Sequence, residues 1–552
     1  MFYLFNKIFS NFSQIERRVL IGAALIFVIS LFFISVNSYY KNTIELPVRG
    51  GSYVEGLVGQ PSFINPLISN VSDVDRDLIE ISYSNLDDLV DKYQISENNK
   101  SWTIILKKDL VWSDGEALTA DDVMFTIDVI QDANNNHPLY STWRGVVVER
   151  LNKNEIRFTL KTPYVFLIDN FKELKVAPKH IFGNIPVANL RLSRYNLEPI
   201  SSGPYKFTKM ETRRDGFITH YRLTSNELYH DDLPYIENFS FRFYDNDSDL
   251  IKGFNRKEID GVGALTQSHL KYIKVGHKVI TINLPRYYAI FLNSNTTPAL
   301  QYLSVRKALN LATDKEKLIK EVFDDKTIIM QGPLPPNIRG YDQQLFTGER
   351  FSLKKAAQLL DKAGWTVGEE NVRIKNNKKE QLRLEFDVIV PEIPFLTKTV
   401  ELIKEDWARI GVKLNPIVLN TNDIGNNVIK TRNYQMLVFG NILKKNPDIF
   451  SFWHSSERFY PGRNLALYED KQVDQLLSSI RQDFSNHSRN KKLSQLQQII
   501  NDDKPAIFLF SPNYLYAAPK NLRGFYSYFI TTPAQRFEKI SQWHLRTYRK
   551  FQ

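Results

Sequence analysis

Val19 to Val36 is a run of 18 residues without a single charge, and it divides the chain before anything else is read. A helix crossing the hydrocarbon layer needs about 20 apolar residues, with about 17 as the lower bound, so the run is long enough. Arg17 and Arg18 stand directly before it, and flanking positive charge stays on the cytoplasmic side. This places the N-terminus inside and nearly all of the remaining chain outside. A cleaved signal peptide is the competing reading. Its apolar stretch would be shorter, roughly 7–15 residues, and would end at a small-residue cleavage site. Ser35-Val36-Asn37 is a poor version of that site. Under either reading the bulk of the protein is exported.

The chain of 552 residues contains no cysteine. This excludes thiol catalysis, thiolate-held metals, structural disulfides and a lipid-modified cysteine anchor. At roughly 100–200 residues per domain, the length implies more than one structural unit. The net charge is +11, of which the first 40 residues supply only +2. The remaining Lys and Arg are spread along the chain and mixed with acids, whereas a nucleic-acid binder gathers them in a stripe. No nucleic-acid partner is expected, and the basic surface reads as a solvated one.

Beyond a polar tether at about Asn37–Leu46, the sequence reads as mixed α and β without repeats. Trp102, Ile104 and Leu106 alternate as a half-buried strand does. Ser113-Asp114-Gly115-Glu116 is turn chemistry, and Thr119 with Asp122 forms a capping box before the apolar face Val123, Ile127, Ile130. Val305, Ala308, Leu309 and Ala312 follow helical spacing, and Thr313 with Glu316 reads as a second capping box. Leu353, Ala356, Ala357 and Leu360 form another helical face, with Gly364 as its stop. Gln331–Pro336 is a rigid loop, Leu382, Leu384 and Phe386 alternate as a strand, and Glu401–Ile410 reads as a helix ending at Gly411. Strands alternating with helices predict α/β lobes with largely parallel sheets.

Enzyme signatures are mostly absent. There is no G-x-x-x-x-G-K-[ST] loop, no H-E-x-x-H and no G-x-S-x-G elbow, and the nine His have no metal-ligand spacing. Asp245, Asp247 and Asp249 sit at positions 1, 3 and 5 of a calcium loop. Leu250 occupies the position that requires Gly and Arg256 the one that requires Glu, so the stretch reads as a turn and helix cap. No cofactor is expected.

Ser96–Ile130 resembles the signature of the family 5 solute-binding proteins, the extracytoplasmic receptors of peptide and nickel ABC importers. Asp114-Gly115, Leu118-Thr119-Ala120 and Asp122-Val123 are kept, and Trp112-Ser113 replaces Phe-His. Gly50-Gly51, Gly203–Phe207, Lys257–Asp260, Val305–Leu309 with Ala312–Asp314, Lys355-Ala356 through Trp365 and Ile410–Val412 follow in the family's order. The resemblance covers about residues 50–520 and implies a two-lobed, periplasmic-binding-protein-like α/β fold. This is the class II form with an extra subdomain in lobe I, behind one N-terminal transmembrane helix. The expected organisation is a cytoplasmic N-terminus at 1–18, an anchor at 19–36, a tether at 37–46, lobe I at 47–285 and lobe II at 286–510. A return segment at 511–552 completes lobe I. The crossovers fall near Thr281–Asn293 and Ile507–Tyr516.

The resemblance further implies a membrane-tethered subunit that captures peptides or peptide-like solutes by hinge closure. Cargo then passes to a permease driven by separate ATPase subunits. Candidate ligand contacts are Tyr287, Tyr288, Phe439, Gly440, Asn441 and Trp453. Relatives that hold a peptide's free amino end carry an Asp shortly before an acid-Pro pair. Gapless alignment to Pro447 puts Leu443 at that Asp position, and Lys444-Lys445 beside it would favour an anionic group. A ligand sensor using the same cleft and an exported cleft hydrolase remain the alternative readings.

Overall fold

The turn at Ser113–Glu116 and the helix after it show how local chemistry sets the elements. Gly115 takes φ +91°, and the Trp112 amide donates to the Glu116 carbonyl at 2.8 Å. The Thr119 amide donates to the Asp122 carboxylate at 2.8 Å, opening the helix Ala120–Gln131 with Val123, Ile127 and Ile130 buried. In this computed structural model, residues 12–69, 71–274, 276–347, 350–377 and 380–551 are described. Most of the expected N-terminal tail, residues 1–11, lies outside them.

Three sheets carry the body of the protein. A seven-stranded sheet builds lobe I in the order His277–Ile282, Tyr514–Pro519, Gly261–Leu265, Ser52–Val58, Asn238–Tyr244, Ile218–Ser225 and Tyr205–Thr212. A four-stranded antiparallel sheet, Val90–Ile95, Ser101–Leu106, Glu155–Thr159 and Val147–Asn152, forms the additional subdomain. Trp102, Ile104 and Leu106 turn inward there, as their alternation predicts. Lobe II has a six-stranded sheet in the order Thr327–Ile329, Ala506–Pro512, Arg286–Leu292, Met436–Ile442, Glu385–Pro391 and Lys413–Leu419.

The sheets are mixed, not largely parallel. Among the described residues of lobe II the parallel pairs are those of Glu385–Pro391 with Met436–Ile442 and with Lys413–Leu419, the latter reached through the helix Pro394–Ala408. In lobe I the parallel core is Gly261–Leu265, Ser52–Val58 and Asn238–Tyr244. Tight hairpins such as Tyr205–Thr212 with Ile218–Ser225, and the strand of the returning chain, impose antiparallel pairs around these cores.

Local expectations need three further corrections. Asp314, not Thr313, caps the helix Lys315–Phe323, because the Thr313 hydroxyl donates to the Leu309 carbonyl and accepts from the Trp407 indole. Leu382 and Phe386 belong to different strands in different sheets, with Leu384 between them. The segment expected as a tether is ordered: the apolar helix runs from Gln14 to Asn42, and a strand Thr43–Val48 follows at once. That strand pairs with Arg546–Phe551 in a separate two-stranded ribbon. No residue of the helix is buried among the described residues, and its contacts with the ribbon are made by its last turns, at Tyr39 and Tyr40.

Candidate binding cleft

The chain passes from the lobe I sheet to the lobe II sheet between Ile282 and Arg286, and returns at Asn513. The crossovers brace one another: the Ser511 hydroxyl donates to the Leu284 carbonyl at 3.1 Å, and the Leu443 amide donates to the Pro285 carbonyl at 2.7 Å. Separate hydrophobic clusters line the lobe I sheet and the two faces of the lobe II sheet, and a narrow double connection joins the lobes.

Between the lobes lies a cavity of about 1350 Å³. The subdomain of lobe I contributes Tyr140, Arg144, Lys161 and Tyr164, and lobe II contributes Ile442, Lys444, Asp448, Phe450, Arg463 and Arg481. A smaller cavity of about 330 Å³ adjoins it, bordered by Ile79, His137 and Leu174 on one side and Ile442–Lys444 on the other. A third depression, around Asp474 and Lys492, is confined to lobe II.

Polar contacts close the seam beside the large cavity. Lys444 meets Glu173 at 2.8 Å and donates to the Asn170 side-chain oxygen at 2.9 Å. Lys445 meets Glu538 at 2.5 Å, and the Asn446 amide group donates to Asp169 at 3.1 Å. The Tyr164 hydroxyl donates to Asp448 at 2.8 Å, and Arg481 binds the same carboxylate at 2.9 Å. Burial, reinforced by the Asp448 charge, pushes the Tyr164 phenol up, so it stays a neutral donor. Phe166, two residues on, is inserted into the apolar cluster of lobe II. The stretch 164–170 is therefore an arm of lobe I docked on lobe II.

None of the six residues singled out from the sequence borders either interlobe cavity. Tyr287 and Asn441 face each other across paired strands, with the Asn441 side chain donating to the Tyr287 hydroxyl at 2.9 Å. Both are buried, and burial pushes the Tyr287 phenol up. Trp453 is fully buried against Phe291 and Phe508, and Phe439 is partly buried in the same cluster. Tyr288 points to the opposite face of the sheet, against Phe395 and Phe510. Gly440 lies under that ring, where a Cβ would stand 3.0 Å from Tyr288. Strand alternation sends these side chains into the two cores of lobe II. Only the end of the strand, Ile442, and the loop beyond it reach the cavity. Leu443, at the aligned Asp position, is buried, and both lysines after it are engaged with lobe I acids. Arg144, Lys161 and Arg463 carried no spacing signal that would have singled them out.

Comparison with known proteins gives this geometry its context. The family described as bacterial extracellular solute-binding proteins, family 5 (middle region), matches residues 87–459. The oligopeptide-binding protein AppA of Bacillus subtilis is 26% identical over 542 residues, covering 93% of this chain and 94% of that one. The structure of that protein with a nonapeptide superposes with a TM-score of 0.69 at 24% identity, covering 91% of this chain and 100% of the other. The ABC transporter substrate-binding protein CtaP of Listeria monocytogenes superposes with a TM-score of 0.76 at 24% identity, covering 90% and 99%. With two lobes, a cavity between them and a match over more than half its length, the chain belongs to family 5 of the bacterial extracellular solute-binding proteins.

Proposed function

We propose that the protein captures peptides in the interlobe cavity and delivers them to an ABC permease, held at the membrane by the helix Gln14–Asn42. The observation that carries this reading is a cavity of about 1350 Å³ walled by both lobes. It exceeds the roughly 300–1,000 Å³ of ordinary small-molecule pockets, so it suits an oligomer. A ligand touching both walls favours the closed arrangement by its differential affinity for that state. The Bacillus subtilis relative is an oligopeptide-binding protein whose structure holds a nonapeptide, which fits a cavity of this size.

The wall favours acidic cargo. Arg144, Lys161 and Arg463 border the cavity and form no ion pair among the described residues, whereas Asp448 is already bound by Arg481. A glycoside hydrolase of the two-carboxylate kind would need such groups on opposite sides of the cleft. The carboxylates bordering the large cavity are Asp448 and Glu457, both from lobe II.

Thermal unfolding of the full chain in detergent tests the reading. Glu-rich peptides of about nine residues should raise the melting temperature, Lys-rich ones should not, and added salt should weaken the effect. Lys161→Gln and Arg463→Gln should each weaken acidic-peptide binding up to about fivefold. Indifference to every peptide would remove the peptide reading, and equal response to acidic and basic peptides would remove only the charge preference.

A further inference from the structure

The ribbon that follows the apolar helix has a face that is largely open among the described residues, with only Leu46 and Val48 partly buried on it. Thr43–Val48 pairs with Arg546–Phe551 in unbroken antiparallel register, from Thr43 opposite Phe551 to Val48 opposite Arg546. Alternation puts Ile44, Leu46, Val48, Arg546, Tyr548 and Lys550 on one face, and Thr43, Glu45, Pro47, Thr547, Arg549 and Phe551 on the other. The end of the helix lies against part of the second face, where Thr43 is buried and Phe551 stays 65% exposed. Tyr39 meets the Phe551 ring edge-on at 5.6 Å, and the Arg549 guanidinium lies 4.3 Å over Tyr40. On the first face Tyr548 is 50% and Ile44 39% exposed, and Arg546 and Lys550 are exposed beside them.

A two-stranded ribbon alone in water is marginally stable, so this open face calls for an occupant. Its composition names one: apolar and aromatic side chains interleaved with two cations, and no acid. Its position agrees. The apolar run Val19–Val36 spans about 27 Å as a helix, close to the roughly 30 Å of a hydrocarbon layer. The next six residues, Asn37–Asn42, add about 9 Å and carry Tyr39, Tyr40 and Lys41 to headgroup depth. The ribbon begins at the next residue, which a spanning helix of this length would bring level with the lipid phosphates.

We propose that this ribbon face is a docking surface for anionic phospholipid on the leaflet from which the helix emerges. Ile44 and Tyr548 enter the headgroup layer, and Arg546 and Lys550 bind lipid phosphates. The inference rests on the anchored reading of the helix. The ribbon is joined closely to lobe I: the Gly50 amide donates to the Tyr235 carbonyl at 2.7 Å, and Trp543 is buried in the lobe I core. Docking therefore sets the orientation of lobe I, and with it the mouth of the cleft, relative to the bilayer.

The absence of cysteine makes the test direct, because one introduced thiol takes one spin label. The full chain is placed in nanodiscs of phosphatidylcholine with or without phosphatidylglycerol, labelled at Ile44→Cys, at Thr547→Cys on the opposite face or at Phe27→Cys in the helix. Accessibility to oxygen and to a water-soluble nickel chelate is then read. The label at position 44 should lose several-fold accessibility to the chelate when phosphatidylglycerol is present, and the label at 547 should not. Arg546→Gln and Lys550→Gln should each weaken this lipid response about fivefold. A label at 27 open to the chelate overturns both the anchored reading and the ribbon. A label at 27 in lipid, with position 44 equally open in both nanodiscs, overturns the ribbon alone. Equal shielding of position 44 by soluble polyglycerol phosphate over phosphatidylcholine assigns the face to wall polymer and overturns the lipid assignment.

Discussion

Arg536 in lobe I and Arg432 in lobe II are buried in opposite ways. In lobe I, Arg536 is fully buried between two carboxylates, at 2.9 Å from Glu55 and 2.5 Å from Asp77. Glu55 also accepts the Tyr516 hydroxyl at 2.7 Å, and Tyr516 shares a hydrogen bond with Tyr53. In lobe II, Arg432 gives its guanidinium to the carbonyls of Arg458, Ile429 and Gly462, each at 2.7 Å. The contrast follows chain connectivity. Lobe II is built from one continuous stretch, and Arg432 there ties off local loop carbonyls. Lobe I is closed by a segment that returns from far along the chain, and its ion network joins that segment to the first strand and helix of the lobe. A buried charge left alone is strongly unfavourable, so the network penalises a lobe I assembled without its return segment.

The largest expected effect comes from breaking the lobe I network. Arg536→Met leaves Glu55 and Asp77 buried without their cation, and a loss of about 3–5 kcal/mol in unfolding free energy is expected. Burial already pushes both carboxyls up while Arg536 opposes it. Without Arg536 they rise further, so the folded variant binds more protons than the unfolded chain above the ordinary carboxylate range. Its stability deficit against the unaltered protein should therefore shrink as pH falls toward about 4 and grow as pH rises, read by denaturant titration at several pH values. Arg432→Met in lobe II should cost less, about 1–3 kcal/mol from unpaired carbonyls, and its deficit should be flat across the same pH range. An equal pH dependence in both variants would erase the distinction between the lobes. Lys445→Gln, at the partly exposed seam pair with Glu538, should change stability by no more than about 1 kcal/mol. Its sharper readout is small-angle scattering, where the unliganded variant should show a larger radius of gyration if the pair helps hold the lobes together.

What the sequence reveals depends on how far apart the partners lie. The Thr119–Asp122 box and the glycine stop at Gly364, with φ +79°, are complete within a few residues and are legible. The family blocks carry the two-lobed architecture for the same reason, being runs of local pattern. Thr313 misleads because its decisive partner, Trp407, comes from another helix. Asn37–Leu46 reads as a tether because its strand partner is the distant segment Arg546–Phe551. The cavity wall is the extreme case. Tyr164 and Asp448, or Glu173 and Lys444, become neighbours only when two lobes close, and neither pair leaves a spacing in the sequence. Tyr287 and Trp453 are conspicuous as aromatic residues, yet bulk of that kind serves a core as readily as a ligand.

The late strand Tyr514–Pro519 inserts between Gly261–Leu265 and His277–Ile282. During synthesis and outward threading, lobe II has its full set of strands once Pro512 has emerged, while lobe I still holds a slot between two waiting edges. Open edges invite pairing with other chains. A receptor built this way matures in the reverse of its reading order, the second half first, with its opening half guarded until the final stretch is delivered.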